Sequence, residues 1–480
     1  MDAMTSAETL SSHFTSDQIL PASFRDPSGF LFCNPEGDLL RQVNRCFADD
    51  FRHFVDSGLY ADLAKDGLII DHEELSLDHS LNEDAVRVLR PRLLPFVSYP
   101  YEWSFSALQD AALLTLELQR RAIQAGMCLK DASAYNVQFH GIKPIFIDTL
   151  SFERWSPDTP WIAYGQFCQH FLAPLALMAR RDIDLQKLLR LHIDGIPLPL
   201  ASKLLPWSTR FRLGTAMHVH LHSQAVKRFE NSDQPNHHPK APRVSQHALL
   251  ALVESLQSTI ESFRWRPRGT EWADYYEDNS YTAAMFDEKQ QVVDSWLEQI
   301  QPQSVWDLGA NCGVFSRLAG RHSRYTVAFD IDGACVERNY LTCRQQSVEN
   351  LLPLAMDLTN PSTALGWAHQ ERMSLIGRGP CDTTLALALI HHLAISNNVP
   401  LPRIADFFAR LSRALIIEFV PKSDTQVQRL LRSRRDVFPD YQELSFTESF
   451  GQYFDIIQRH SLRNSGRVLF WMKSKLFTRS

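Results

Sequence analysis

Short apolar runs that end in an acid alternate with amphipathic stretches along the second half of this chain. Val305-Trp306 leads to Asp307-Leu308, turns through Gly309 and Gly313, and enters a helical pattern over 314–320; a second run, Val327-Ala328-Phe329, ends at Asp330. Uninterrupted apolar runs of this length suit strands buried on both faces, and the intervening 3.6-residue spacing suits a helix. The unit therefore predicts two parallel strands joined by a helical crossover. Further strands are predicted over 351–357, 383–389 and 414–420, followed by a helix over 426–434. Two late strands, 454–459 and 467–473, are joined by an Asn464-Ser465-Gly466 turn. Helices over 248–263 and 287–300 lead into the first strand. This half is expected to be α/β, seven strands with an antiparallel hairpin at the end.

The first half reads as α+β. Residues 1–26 are rich in Ser and Thr and are expected to fray. Apolar runs on either side of Asn34-Pro35-Glu36-Gly37 predict a hairpin over 29–43, and Phe51, Phe54, Val55 and Leu59 predict a helix over 49–64. Short strands are expected over 68–71, 85–89 and 94–99, a long helix over 105–125, and an apolar strand over 145–148. More helical patterns cover 161–179, 182–191 and 209–228. Residues 229–244, rich in Pro, Asn, His and charge, mark a linker. The expected organisation is an N-terminal domain over 1–228, a linker over 229–246 and a C-terminal domain over 247–480.

Composition narrows the function classes. A length of 480 residues allows two or three domains, and 44% hydrophobic with 22% charged residues describes a globular chain. A net charge of -6 gives no strong nucleic-acid signal. No apolar window is long enough for a membrane span; 171–178 is short and contains Pro174. The eight cysteines form no C-x-x-C pair, which argues against a disulfide framework and structural zinc and for reduced thiols in the cytoplasm. His218, His220 and His222 alternate instead of following a helical i, i+4 ligand spacing, so they are read as structural and no metal site is expected.

The chemistry gathers at the first strand. In a parallel sheet, ligands lie beyond the carboxyl ends of the strands where the strand order reverses, which brings Asp307, the glycine turn and Asp330 together. Gly309 would permit the tight turn and Gly313 a close approach of backbone to ligand. The dinucleotide fingerprint is not present: Asn311 stands where its second glycine would be. A carboxylate at position 307 would repel a phosphate but suits an ammonium group.

The pattern Asp307-x-Gly309-x-x-x-Gly313, with Asp330 further on, resembles the first motif and second acidic strand end of Rossmann-like class I S-adenosylmethionine (SAM) methyltransferases. Leu385-Ala-Leu-Ala-Leu-Ile-His-His-Leu393, Ile416-Ile-Glu-Phe-Val-Pro-Lys422, Asn398-Val-Pro-Leu401, and Gly366-Trp367 with Glu371-Arg372 resemble the methyltransferases related to the rhizobial host-specific nodulation (NoeA-type) proteins. That resemblance covers about Trp272 to the C-terminus. It implies SAM as cofactor, with Asp307, Gly309, Asn311, Gly313, Asp330 and Asp332 around it and Asp357 and Leu358 beside the adenine. The methyl acceptor stays open: small molecule, glycan or protein. A hydroxyl acceptor would need a base; His391, His392 and Glu418 are the candidates, with capping and strand-end packing as their alternative roles. Trp272, Tyr275, Tyr276 and Tyr281 either cover the pocket or pack the lead-in helices.

A second constellation lies in the first half. Asp131, Asn136 and Asp148 resemble, in spacing, the catalytic loop and metal-binding acid of protein-kinase-like folds. No glycine-rich phosphate loop and no strand lysine accompany them, and Asp148-Thr149-Leu150 replaces D-F-G. Their alternative is service as turn and cap residues. Three readings follow: a SAM methyltransferase with a non-catalytic N-terminal domain, a bifunctional kinase-methyltransferase, and a SAM-binding scaffold without turnover.

Overall fold

The computed structural model describes residues 19–157, 159–224, 243–267, 283–432 and 435–477. The predicted hairpin forms as β1 (Gly29–Cys33) and β2 (Leu39–Asn44). It joins β3 (His72–Leu75) and β4 (Ala85–Pro91) in an antiparallel sheet of order β1-β2-β4-β3. The helix expected over 49–64 is two helices, α1 (Ala48–Asp56) and α2 (Leu59–Lys65), because Gly58 takes a left-handed φ of 78° between them. Residues 68–71 make only an isolated bridge from Ile69 to Phe146, and 94–99 form no strand.

The long helix α3 (Phe105–Gln124) starts at Ser104, whose hydroxyl accepts from the Ala107 N–H, and it is buried along most of its length. Two small hairpin-like pairs follow: β5 (Met127–Leu129) with β8 (Phe152–Arg154), and β6 (Val137–His140) with β7 (Lys143–Phe146). The helices α4 (Ala173–Arg180) and α5 (Leu198–Leu204) follow, with shorter helical turns before, between and after them. Helix α6 (Gln246–Ser262), though later in the chain, packs along α3: Gln109 donates to the Ile260 carbonyl and Gln246 to that of Ile123, both at 2.8 Å.

Helix α7 (Ala283–Ile300) leads into β9 (Ser304–Leu308), then α8 (Val314–Gly320) and β10 (Tyr325–Asp330), then α9 (Gly333–Gln345) and β11 (Leu351–Ala355). Next come β12 (Cys381–Ala386), α10 (Leu401–Leu411), β13 (Ser412–Phe419), α11 (Thr425–Arg432), α12 (Glu443–Gly451), β14 (Phe454–Ser461) and β15 (Val468–Ser474). The seven strands lie in the order β11-β10-β9-β12-β13-β15-β14. The first five are parallel, and β15 runs antiparallel to both of its neighbours. All six residues of β10 are buried, as a strand covered on both faces must be.

The two faces are covered from different places. Val293 and Leu297 of α7 and Phe315 of α8 pack on Val305, Leu385 and Ile416. On the opposite face, Phe96 from the N-terminal half packs edge-on against Trp306 and Phe329, with ring centroids 5.6 and 6.0 Å away. One hydrophobic core therefore runs from α3 through to the seven-stranded sheet. The proposed linker and Trp272 to Tyr281 fall largely or wholly outside the described residues.

Candidate functional site at the strand-order switch

The strand order reverses at β9, flanked by β10 on one side and β12 on the other, and a cleft of about 360 Å3 opens at their carboxyl ends. Asp307, Gly309, Asn311, Asp330, Asp357 and Leu358 line it. Gly309 turns with φ 76°. Asn311 also takes a left-handed φ of 49°, and its N–H donates to Asp330 Oδ2 at 2.7 Å. The Asp332 N–H donates to the other oxygen at 2.8 Å. The turn is therefore built around the second strand's carboxylate.

Two of the expected cofactor residues stand back from the cleft lining. Gly313 does not line the cleft; its left-handed backbone caps α8 and comes so close to the Asn339 side chain that a Cβ would sit 2.2 Å from it. The expected close approach is thus made to Asn339. Asp332 does not line the cleft either; it caps α9 by accepting from the Ala334 N–H at 2.8 Å. Strand β11 ends at Ala355, so Asp357 sits in the loop beyond it, where its carboxylate accepts from the Thr359 N–H and hydroxyl.

Burial sets the electrostatics. Asp307, 2% exposed, accepts a hydrogen bond from Ser316 Oγ at 2.6 Å. Desolvation nonetheless pushes its carboxyl up to about 7, and the neighbouring charge of Asp330 adds to the shift. Asp330 is pushed up to about 6 by the same burial, against the pull of its backbone donors. Two adjacent buried acids held out of their usual range form an environment that a cationic ligand would relieve.

Of the three candidate bases, His392 alone lines the cleft. Burial, then the charge of Arg467, pushes its imidazole down to about 4, leaving it neutral at neutral pH. His391 is fully buried behind it with both ring nitrogens unpartnered, and burial holds it well below the usual histidine range. Glu418 is fully buried and held between two cations, 2.6 Å from Lys289 Nζ and 3.4 Å from Arg467 Nη1.

Sequence reasoning did not find Lys289. This side chain, 3% exposed, reaches the cleft from α7 and lies 4.9 Å from the centre of the Phe315 ring. Its only sequence signature was a charged position in an amphipathic helix, which no motif distinguishes. Ala388, also in the cleft wall, takes a left-handed φ of 52°, uncommon for a residue with a Cβ.

The second constellation does come together. Asp148 pairs with Arg41 of β2 and accepts from Ser151 Oγ at 2.5 Å; the Asn136 amide in turn donates to Ser151 Oγ at 3.2 Å. Burial alone would raise the Asp148 carboxyl, but Arg41 and Ser151 outweigh it and hold it below its usual range. Asp131 accepts from the Ser133 N–H at 2.9 Å, and burial with the Asp148 charge raises it. Among the described residues, no group of three or more His, Cys, Asp or Glu could hold a metal ion, and no helix is long and apolar enough to cross a membrane.

The sheet order and the cleft at its switch define an α/β protein with a cleft lined by buried acids. Over 460 residues the chain is 35% identical to nodulation protein NoeA of Rhizobium meliloti (strain 1021), covering 93% of this chain and 94% of that protein. It belongs to the NoeA nodulation-protein family, and the kinship extends through the N-terminal half, well beyond the stretch from about Trp272 onward. No family model matches. Among solved structures, the N-methyltransferase NodS from Bradyrhizobium japonicum WM9 covers 40% of this chain and 97% of its own, at 11% identity and a TM-score of 0.30. Magnesium protoporphyrin IX methyltransferase ChlM from Synechocystis PCC 6803, with bound SAH, covers 42% and 93%, at 20% identity and a TM-score of 0.30.

Proposed function

We propose that this protein transfers a methyl group from S-adenosylmethionine to an acceptor bound over the cleft. The observation that carries the reading is the bond from the Asn311 N–H to Asp330. In a dinucleotide site the amides of the glycine turn are offered to a pyrophosphate, and the sheet is commonly parallel throughout. Here a turn amide is committed to a carboxylate, a second carboxylate lies beside it at Asp307, and β15 runs antiparallel. The acceptor set suits a cationic amino acid joined to a ribose and disfavours phosphate.

On this reading Asp307 holds the ammonium of the aminoacid end and Asp330 the ribose hydroxyls, while Asp357 and Leu358 flank the adenine. The cofactor supplies a methyl already activated by its sulfonium charge. The chain's own residues mainly bring an acceptor in line, which lowers a barrier by several kcal/mol through orientation alone. For a hydroxyl acceptor His392 takes the proton; Lys289 and Glu418 keep the floor of the cleft charged and fixed. Asp131, Asn136 and Asp148 serve as structural residues of a kinase-like N-terminal unit, since Arg41 already neutralises the acid that would otherwise hold a nucleotide's magnesium.

Titration calorimetry with SAM and with NAD tests the cofactor; binding of NAD but not SAM would sink the reading. Incubation of a cell extract with protein and SAM, followed by mass spectrometry, should then reveal a component heavier by one methyl group. SAM binding without any such product would favour a scaffold that senses the cofactor without turnover.

A further inference from the structure

The stretch after α5 leaves large apolar side chains in water. Trp207, Phe211 and Leu213 are 70%, 73% and 82% exposed, and Met217 and Leu221 follow at four-residue intervals, also exposed. The Trp207 and Phe211 rings meet edge to face, with centroids 4.8 Å apart. These are not core positions turned outward by a loose helix. His218, Val219 and His220 of the same turn are buried; His218 bonds Tyr164 and Ser255, and His220 bonds Ser202 and Thr209, all within 2.9 Å. The inner face is filled and satisfied, and the outer face is apolar. An exposed apolar cluster of this kind marks an interaction surface.

Charge indicates the partner. Residues 195–224 contain three lysines and arginines (203, 210, 212) and no Asp or Glu, in a chain whose net charge is -6. Lys203, Arg210 and Arg212 are exposed beside the apolar residues. Arg181 is tied to the same place by its bond to the Leu204 carbonyl at 2.7 Å. Helix α6, which packs here where Gly214 meets Thr259, brings two acids, Glu254 and Glu261. Trp, Phe and Leu interleaved with Arg and Lys are the composition of a segment that lies in a bilayer interface.

We propose that residues 207–221 dock this protein on an anionic lipid bilayer, with Trp207, Phe211, Leu213, Met217 and Leu221 entering the headgroup boundary and Lys203, Arg210 and Arg212 pairing with lipid phosphates. The cofactor cleft is then carried on a membrane-apposed body.

The test is sedimentation of the full chain with vesicles of phosphatidylcholine alone or mixed with phosphatidylglycerol. The wild type should partition onto the anionic vesicles, less so at high salt. Trp207→Ser with Phe211→Ser, and separately Arg210→Glu with Arg212→Glu, should each weaken that partition by about tenfold or more. All four residues are exposed, so circular dichroism and melting should be unchanged. The proposal is overturned if the wild type binds neither vesicle, or binds both equally. It also fails if sedimentation velocity gives a wild-type dimer that the Trp207/Phe211 variant renders monomeric, since a second copy then covers the patch. Binding that appears only after deletion of residues 229–242 would overturn it too, by making that segment the occupant.

Discussion

Glu102 and Arg378, 276 positions apart, form a two-pronged ion pair in which each side chain is 1% exposed: Nη2 to Oε1 at 2.6 Å and Nη1 to Oε2 at 2.9 Å. Arg378 also donates to the Val97 carbonyl and lies over the rings of Phe96 and Tyr99. Beside it, Glu337 of α9 accepts from both the N–H and the hydroxyl of Ser106 at the start of α3. A buried charge persists only when paired and hydrogen-bonded. The two halves are therefore joined by polar groups that neither half could leave exposed to its own interior.

Arg378→Met should destabilise the protein by about 3–5 kcal/mol, because Glu102 keeps a buried charge without its partner. Adding Glu102→Gln should recover part of that loss. Calorimetric melting of the wild type should give one transition for the whole chain. Two well-separated transitions, with only one moved by Arg378→Met, would show that the halves unfold independently.

Asp330→Ala should weaken SAM binding by about 1–3 kcal/mol, the loss of charge-assisted hydrogen bonds, as read by calorimetry. Asp332→Ala removes a helix cap and should lower stability by about 1 kcal/mol. Because Asp332 does not line the cleft, SAM affinity should change far less than in the Asp330 variant. Equal losses of affinity in both variants would contradict these assignments.

The raised carboxyls of Asp307 and Asp330, at about 7 and about 6, give the ligand-free protein a pH dependence with a definite sign. Each group binds its proton more tightly folded than unfolded. Their contribution to stability is full below the ordinary Asp range and is lost as pH rises through those two values. Binding of a cation has the opposite trend: affinity for SAM should climb from about pH 5 to about pH 8 and then level off. Calorimetry near pH 6.5 in buffers of different ionisation enthalpy should detect protons released on binding. No release would mean that the two acids are already ionised in the empty cleft.

His392→Ala should lower methyl incorporation from labelled SAM while leaving SAM affinity within about twofold, since an acid–base residue acts on the transition state. With its imidazole pushed to about 4, the rate at saturating SAM should show no inflection near the usual histidine value. His391→Ala should instead appear as lost stability, from the cavity left by a fully buried ring. An inflection near pH 6.5 that disappears in His392→Ala would show that the ring titrates normally.

Asp148→Ala should leave SAM affinity unchanged and destabilise the fold, because Arg41 loses its partner in a mostly buried site. Asp148 is held below its usual range, so its contribution is present at neutral pH and is lost as pH falls through the acidic region. The full chain should show no magnesium-dependent ATP hydrolysis. ATPase activity abolished by Asp131→Ala would restore the bifunctional reading.

Strands of the second half were legible because they are buried on both faces and read as unbroken apolar runs: β9 and β10 lie within a residue or two of where Val305 and Val327 put them. The acids at 307 and 330 were legible for the same reason, since a strand that ends in Asp puts that carboxylate at the edge of the sheet. Local spacing could not say what a glycine or an acid faces. Gly313 meets Asn339 and Asp332 caps α9, contacts set by how α8 and α9 pack, and His391 differs from His392 only in which side of one turn points into the protein. Lys289 enters the cleft because α7 crosses the sheet beside Glu418, 129 residues later. The N-terminal half is least predictable from its own residues because its core is completed by Trp306, Phe329 and Arg378, and the identity of a residue does not encode which distant surface will cover it. Periodicity carries the local geometry of the backbone; the pairing of buried charges across 276 positions is decided only when the two halves close on each other.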